Sequence, residues 1–159
     1  MSNFRELYEG DLSRYAGTVG GWTRCFHFLL RKTQYGSRFL KSLYHLFYRL
    51  FSDRHCMEIS CKTVIGKGLC MKDPYFITVN SNSVIGENVT LEKNVTIGKQ
   101  NRGRYAGCPV IGDRVEIGEN SVVVGRIRIG NDVKIAPDSY VNRDVPDGAY
   151  AAGNPFEIR

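Results

Sequence analysis

From Ile59 to Val141 an aliphatic side chain returns at every sixth position. It does so at Ile59, Ile65, Met71 and Ile77, again at Ile85, Leu91 and Ile97, and again at Ile111, Ile117, Val123, Ile129, Ile135 and Val141. Glycine or a small or polar residue usually follows, as at Gly66, Gly86, Gly98, Gly112, Gly118 and Gly130. Four places after the aliphatic stands a second small or aliphatic residue, among them Leu69, Val89, Val95, Val115, Ser121, Ile127, Val133, Ser139 and Val145. A helix repeats at 3.6 residues and an amphipathic strand at two, so neither accounts for six. A period of six is the pattern of a parallel β-helix, in which each hexapeptide gives one short strand and one turn, and three close a triangular coil. The repeated aliphatic points inward and stacks on its counterparts above and below. The glycine that follows is expected to relieve a conformational burden at the corner. A single coil cannot bury its own apolar side, so stability has to come from stacking.

The repeat breaks twice. Two extra residues fall between Ile77 and Ile85, assigned to the polar string Asn80-Ser81-Asn82-Ser83, and eight extra fall between Ile97 and Ile111, formed by Lys99 to Val110. A loop of that length leaves the prism as a projection, and insertions in repeat proteins gather on the functional face. Its Arg102 and Arg104 suit an anion, although a solvated surface loop has the same composition. Near the end, Asp144-Val145-Pro146-Asp147-Gly148 is turn chemistry. Pro146 and Pro155 have no amide to offer a further coil.

Residues 1–57 read as a helical region and 58–159 as the β-helix, giving a mainly β chain with an N-terminal helical segment. Asn3 to Tyr15 places Phe4, Leu7, Tyr8, Leu12 and Tyr15 at helical spacing, and the glycines between Gly17 and Gly21 end it. Thr23 is the expected N-cap of a second segment running through Leu30 and Arg31. A third runs from about Ser37 to Phe51, with Phe39, Leu40, Leu43, Tyr44, Phe47, Leu50 and Phe51 along one face. Up to Met57 there are nine Lys and Arg against four Asp and Glu; beyond it there are thirteen against twelve. The basic character therefore belongs to the helices. Two roles fit them: a cap over the first coil, or, through residues 23–54, a contact with an anionic membrane surface. The charge is modest and no nucleic-acid motif accompanies it, which argues against nucleic acid.

Five cysteines, an odd number with no Cys-x-x-Cys pair, point to reduced thiols in a cytoplasmic protein rather than to disulfides or zinc. The first twenty residues carry Glu6, Glu9 and Asp11 and lack the apolar core of a signal peptide. Apolar runs such as Phe26 to Leu30 are far shorter than the roughly 18 residues of a membrane span.

Four stretches carry a family resemblance: GKGLCMKDPYFITVN (66–80), SVIGENVTLEKNVTIG (83–98), NRGRYAGCPVIGD (101–113) and DVPDGAYAAGNP (144–155). With them the chain resembles the hexapeptide-repeat acyltransferases, and within these the branch of serine and capsular-polysaccharide O-acetyltransferases. That resemblance implies a left-handed parallel β-helix, a homotrimer with active sites between subunits, and acetyl-CoA as acyl donor, with no metal. It further implies that the pantetheine arm lies along the later coils, where Ser121, Ala136 and Pro137 match small-residue positions. Arg143 matches a basic position near the CoA phosphates, where a fixed positive charge is suited to phosphate. On the acceptor side, Tyr75, Asn101, Arg102, Arg104 and Cys108 are the candidate contacts.

The chain departs from the family at the chemistry. Asp73 stands where this branch carries its proton-abstracting histidine, and Glu58, fifteen residues earlier, matches the carboxylate that orients it. Cys108 stands where the serine branch has a second histidine, which favours a glycan hydroxyl over serine as acceptor. No histidine lies in the β-helix; His27, His45 and His55 belong to the helical region, where structural roles are expected. An aspartate near pKa 4 is a weak base, but two carboxylates facing each other in a desolvated cleft would lift one of them. On that reading Asp73 and Glu58 are the catalytic pair. A non-catalytic trimeric scaffold is the competing class, and zinc-dependent hydration chemistry on the same solenoid is disfavoured by the missing histidines.

Overall fold

The computed structural model describes residues 4–15, 17, 19–36 and 38–158. Among the described residues fifteen short strands make three sheets, in which each of the first fourteen strands pairs in parallel with a strand one coil away. The first sheet stacks Ile59, Val79, Ile97, Val123 and Val141. The second stacks Ile65, Ile85, Ile111 and Ile129, with Val145 adding a bridge to Ile129. The third stacks Met71, Leu91, Ile117, Ile135 and Ala151. These are named below the Ile97, Ile111 and Ile117 sheets. The chain visits them in that order, so five coils form a three-sided prism. Every one of the thirteen repeat aliphatics is at most 3% exposed, which makes the column of stacked side chains the core. After the fifth coil, Phe156–Ile158 turns back antiparallel on Tyr150–Gly153.

The register differs from the expectation at one residue. Val79, not Ile77, stacks between Ile59 and Ile97. Ile77 is the inward residue two places earlier: its carbonyl accepts from Glu58, as that of Val95 accepts from Thr78. Ile59 to Val79 spans twenty residues against eighteen for Val79 to Ile97. The two extra residues therefore sit in the Lys72–Phe76 corner, while Asn80–Ser83 is an ordinary corner closed by the Asn82 amide donating to Asn80 Oδ1. Sequence alone could not choose, because Ile77 and Val79 are both aliphatic and only cross-coil pairing separates them.

The corner glycines also have a different reason from the one expected. Gly66, Gly86, Gly112 and Gly130 are not among the residues with positive φ. They are small because the next coil lies against them: a Cβ on Gly86 would stand 2.5 Å from the carbonyl oxygen of Gly112. The left-handed conformation falls two places later, on Gly68, Asn88, Arg114, Asp132 and Gly148. Pro146 occupies the corner position whose amide in earlier coils donates to the coil below, as Gly130 donates to Val145. Among the described residues no further coil stacks on that corner, so the missing donor costs nothing there.

Three helices close the other end: α1 (Phe4–Ser13), α2 (Gly21–Tyr35) and α3 (Lys41–Arg54), the last preceded by a 3-10 turn at Arg38–Leu40. They act as a substitute for a coil above the first. Arg31 donates to the carbonyl of Ile65, Gln34 to Thr63 and Tyr48 to Ile59, acceptors that a preceding coil would have used, and Arg31 donates to Gly66 O as well. Asp11 accepts from the amides of Gly68 and Leu69, and the Tyr15 hydroxyl from that of Met71. A buried ladder edge left without such partners would be costly, so the helices and the first coil stabilise one another.

Two helical expectations are corrected. Gly20, with extended φ and ψ and no side-chain cap, precedes α2, so Thr23 lies inside the first turn rather than at the N-cap. Packing of Phe26 and Leu30 into the core, with Trp22 against it, sets that start instead. On α3, the buried side is Tyr48 and Ser52 with Tyr44 and Phe51 packed against the core. The residues expected along one face divide: Tyr44 and Phe51 pack against the core, whereas Leu40, Leu43, Phe47 and Leu50 are exposed together with Leu46, and Phe39 ahead of the helix is 98% exposed. A helix apolar around most of its circumference has more apolar surface than one neighbour can cover. Asn3 and Ser37, the expected starts of the first and third helices, lie outside the described residues.

Candidate functional site

The candidate residues collect on two edges of the Ile97 sheet. One edge, where the Ile117 sheet turns into the Ile97 sheet, carries Asp73 and Tyr75, then Lys93 and Asn94, then Gly118 to Asn120, then Ala136 and Pro137. Backbone bonds from Asn94 to Tyr75, Asn120 to Lys93 and Asp138 to Glu119 put these in one column. Left-handed residues recur along it at Cys56, Phe76, Asn94, Asn120 and Asp138, and Asp73 adds one more within the lengthened corner. A side-chain ladder follows the column, Asn94 Nδ2 donating to Asn120 Oδ1 and Asn120 Nδ2 to Asp138 Oδ1. A groove of about 580 Å³ opens between Tyr75, Phe76, Lys93, Asn94 and Asn120.

Asp73 is exposed at the tip of its corner, and Tyr75 beside it is 48% exposed. Glu58 is exposed on the first strand of the Ile97 sheet, where it opens on a cavity of about 470 Å³ between that sheet and α3, lined also by Arg49, Asp53, Thr78 and Asn80. Among the described residues no hydrogen bond or ion pair joins Asp73 to Glu58 or to any cation. The desolvated carboxylate pair expected from the sequence is thus not formed within one chain, because both side chains stand in water. Ser121 lies inside the prism, its hydroxyl donating to Ala136 O at 2.9 Å, with Ser139 Oγ on the same carbonyl at 2.7 Å. Ala136 and Pro137 are on the surface, and Pro137 packs so closely on Gly118 that a Cβ there would meet its nitrogen at 2.6 Å. They line a second groove, of about 230 Å³, with Glu92, Lys134 and Tyr150.

The opposite edge carries the other candidates. The long loop folds as a small hairpin, Gln100 and Gly107 exchanging amide bonds, and Tyr105 O accepts from the Arg126 amide below. Asn101, Arg102 and Arg104 project into solvent, the Arg104 guanidinium lying 5.7 Å from the Tyr105 ring centroid. Cys108 is half-buried at the loop base and its thiol donates to Asn80 Oδ1 at 3.3 Å. Arg143, three coils down this edge from Asn80, donates to Phe156 O at 2.9 Å and stacks on the Phe156 ring. One chain therefore holds Asp73, Tyr75, Ala136 and Pro137 on one edge and Arg102, Arg104, Cys108 and Arg143 on the other. It does not bring the two groups together.

Sequence reasoning passed over His55. It sits immediately before Cys56, in the first coil's place on the Tyr75 column, and its carbonyl accepts from the Phe76 amide at 3.0 Å. Its ring lies 3.7 Å from the Trp22 ring centroid and 4.6 Å from that of Tyr75. Nδ1 is buried and has no partner. Burial, then the charge of Arg54, hold its pKa below the usual histidine value. No residue-type pattern marks this column, since Cys56 and Phe76 occupy turns given to Asn or Asp in the later coils.

A family model described as "Bacterial transferase hexapeptide (six repeats)" matches residues 108–143. A serine acetyltransferase of Helicobacter pylori is 29% identical over 82% of this chain and 68% of its own length. A putative colanic acid biosynthesis acetyltransferase, WcaB, of Escherichia coli K12 is 34% identical over 64% of this chain and 62% of its own. The chain thus spans about two thirds of the length of these curated relatives. Among solved structures, apo soybean serine acetyltransferase superposes with a TM-score of 0.78 at 25% identity, over 99% of this chain and 69% of that one. A serine acetyltransferase in complex with CoA superposes at 0.70 with 26% identity, over 87% of this chain and 55% of that one. The prism is accordingly the left-handed parallel β-helix, and the chain carries the hexapeptide repeat of bacterial transferases and is similar to serine and polysaccharide-modifying acetyltransferases.

Proposed function

We propose that this protein transfers an acetyl group from acetyl-CoA to a sugar hydroxyl of a surface polysaccharide or its precursor, in clefts shared by the subunits of a homotrimer. The observation that carries this reading is the division of the candidate residues between two edges of one sheet. If the Arg102 edge of one subunit faces the Asp73 edge of the next, both halves of the site meet, and each subunit contact makes one complete cleft. Such a contact would also remove water from Asp73 and Glu58, the condition their exposed positions lack in a single chain. The two carboxylates then suit the vicinal hydroxyls of a sugar as acceptors of hydrogen bonds. Ala136 and Pro137 offer a close-packed wall for the pantetheine arm, and Arg143 a fixed positive charge toward the CoA phosphates. The relative solved with CoA supports this donor.

Serine is the second acceptor reading, favoured by the Helicobacter pylori and soybean relatives. Cys108, in place of the serine branch's second histidine, weighs toward the glycan. Release of CoA thiol from acetyl-CoA, measured with L-serine and with sugar acceptors in parallel, separates the two. Binding of the donor is the prior test. At a ligand concentration one hundred times Kd, a ligand of the native state adds about 2.7 kcal/mol of stability. Saturating acetyl-CoA is expected to raise the melting temperature, and no rise would leave a scaffold that has lost the reaction.

The outward stripe of α3 supports a peripheral contact with an anionic membrane, the place of lipid-linked glycan precursors. Exposed Leu43, Leu46, Phe47 and Leu50 lie on a helix that also carries Lys41, Arg49 and Arg54, the combination that binds acidic bilayers. The reduced cysteines fit a cytoplasmic location at the inner face of that membrane. Among the described residues no helix is long and apolar enough to cross it.

A further inference from the structure

We infer that His55 is the proton acceptor of the transfer reaction, supplying from the first coil the imidazole that the family carries one coil lower, where this chain has Asp73. The inference rests on the acetyltransferase reading above and deepens it. The geometry is that of a fixed group on the site's own column. His55 stands directly over Tyr75 and is tied to the lengthened Asp73–Phe76 corner by the Phe76 amide. The Trp22 ring on its other side and the Tyr75 ring hold the imidazole in one plane, so little rotamer freedom remains to be lost in a transition state. No side-chain hydrogen bond among the described residues engages the ring. Nδ1 is buried, so the proton would go to Nε2, which no structural partner among the described residues occupies. Tyr75 takes the place under His55 that Lys93 takes under Tyr75, and the two extra residues add the Asp73-Pro74 step just ahead of it.

The charged and titratable groups around His55 come from every neighbouring element. Arg54 and Glu58 flank it in the chain, Asp73 and Tyr75 lie on the corner below with Lys93 beyond, and α2 presents the uncharged Trp22. Lowering by burial and by Arg54 leaves the imidazole neutral at pH 7, as a base must be. The balanced step has the acceptor oxygen bond to the thioester carbonyl carbon while its proton passes to His55. The carbon–sulfur bond then breaks, and the proton leaves His55 for the CoA sulfur, giving an acetyl ester and free thiol. Asp73 keeps a part in this scheme as a carboxylate that orients the attacking hydroxyl.

The test needs no knowledge of the natural acceptor, because water is the simplest hydroxyl. CoA thiol release from acetyl-CoA alone is followed against pH for the full-length wild type, His55→Gln and Asp73→Asn, with donor binding measured by thermal shift in each. For the wild type, the rising limb should fall below the ordinary histidine value of about 6.5 but above the ordinary carboxylate value of about 4.3. His55→Gln should lose that limb and roughly 10²- to 10⁴-fold in rate while donor binding persists; Asp73→Asn should be slower but keep the limb. A wild-type limb in the carboxylate range overturns the inference whether or not any variant folds. So does a limb that survives in His55→Gln and vanishes in Asp73→Asn. Failure of the wild type to bind acetyl-CoA sinks the transferase reading itself, and is told apart from failure of His55 by the thermal shift.

Discussion

Asp11 shows how a single buried charge joins the two parts of the chain. Its Oδ1 accepts from the amides of Gly68 and Leu69 and from Arg31 Nη2; its Oδ2 accepts from Arg31 Nε and faces His27 Nδ1 at 3.2 Å. Both Asp11 and Arg31 are fully buried. Removing one member leaves the other charge in a dry site, so Asp11→Ala should cost about 3–5 kcal/mol in chemical denaturation. The pH dependence has a definite sign. Burial pushes the Asp11 carboxyl up, but its bonds to His27 and Arg31 and the Arg31 charge outweigh that, and the net pKa is lowered. Its stabilisation is therefore complete above the unfolded value of about 3.9 and is lost as pH falls through the lower folded value. Wild type should lose stability steeply below about pH 4, whereas Asp11→Asn should show a shallower profile over the same range. None of this was visible in the sequence, where Asp11 counted only as an acid that a signal peptide would lack. Buried ion pairs leave no periodic trace. His55 escaped for a related reason: its importance lies in what is stacked beneath it, and Tyr75 is twenty residues away.

At the scale of elements, the repeat period was legible because the same physical demand recurs at every coil: an inward side chain, a short strand and a corner. Ile97 is fully buried between Val79 and Val123, and Ile97→Ala should cost about 2–5 kcal/mol as a core truncation. Gly86→Ala tests the corner reading by the opposite route. Its added methyl would meet the Gly112 carbonyl of the next coil, which cannot move aside, as well as the Asp113 carboxylate, so overpacking should destabilise the protein by about 1–3 kcal/mol. Equal stability would mean that the coils can separate locally. The helices were legible only in outline. Their periodicity located apolar residues along α3 but not how they divide between core and solvent, where Tyr44 and Phe51 join Tyr48 on the buried side. Replacing Leu46 and Leu50 by Glu, both exposed, should leave the fold intact and abolish sedimentation with vesicles of phosphatidylserine and phosphatidylcholine. Failure of the wild type to sediment at low salt would remove the membrane from the proposal.

For the whole molecule, the proposal turns on neither edge of the Ile97 sheet being a site by itself. The trimer proposal makes a quantitative demand on mixtures. Suppose one variant carries Asp73→Asn together with His55→Gln, which spoils the Tyr75 edge and leaves the Arg102 edge intact. A second variant carries Arg102→Ala with Arg104→Ala, which spoils the loop edge alone. Each homotrimer then has only defective clefts. Subunits refolded together at equal ratio assemble at random, and a cleft is complete only when the intact edge of one variant meets the intact edge of the other. That occurs in about one quarter of the clefts under closed symmetry, so mixing should restore about a quarter of the wild-type rate of CoA release per cleft. A site contained within one chain gives no restoration at any ratio, because every chain in the mixture remains defective. Measuring mass in solution alone would not make this distinction, since a trimer with three independent sites weighs the same. Recovery of activity from two inactive parents would tie assembly to chemistry: the hexapeptide period sets the prism, the prism fixes two edges a sheet's width apart, and only a neighbouring copy brings the opposite edge within reach.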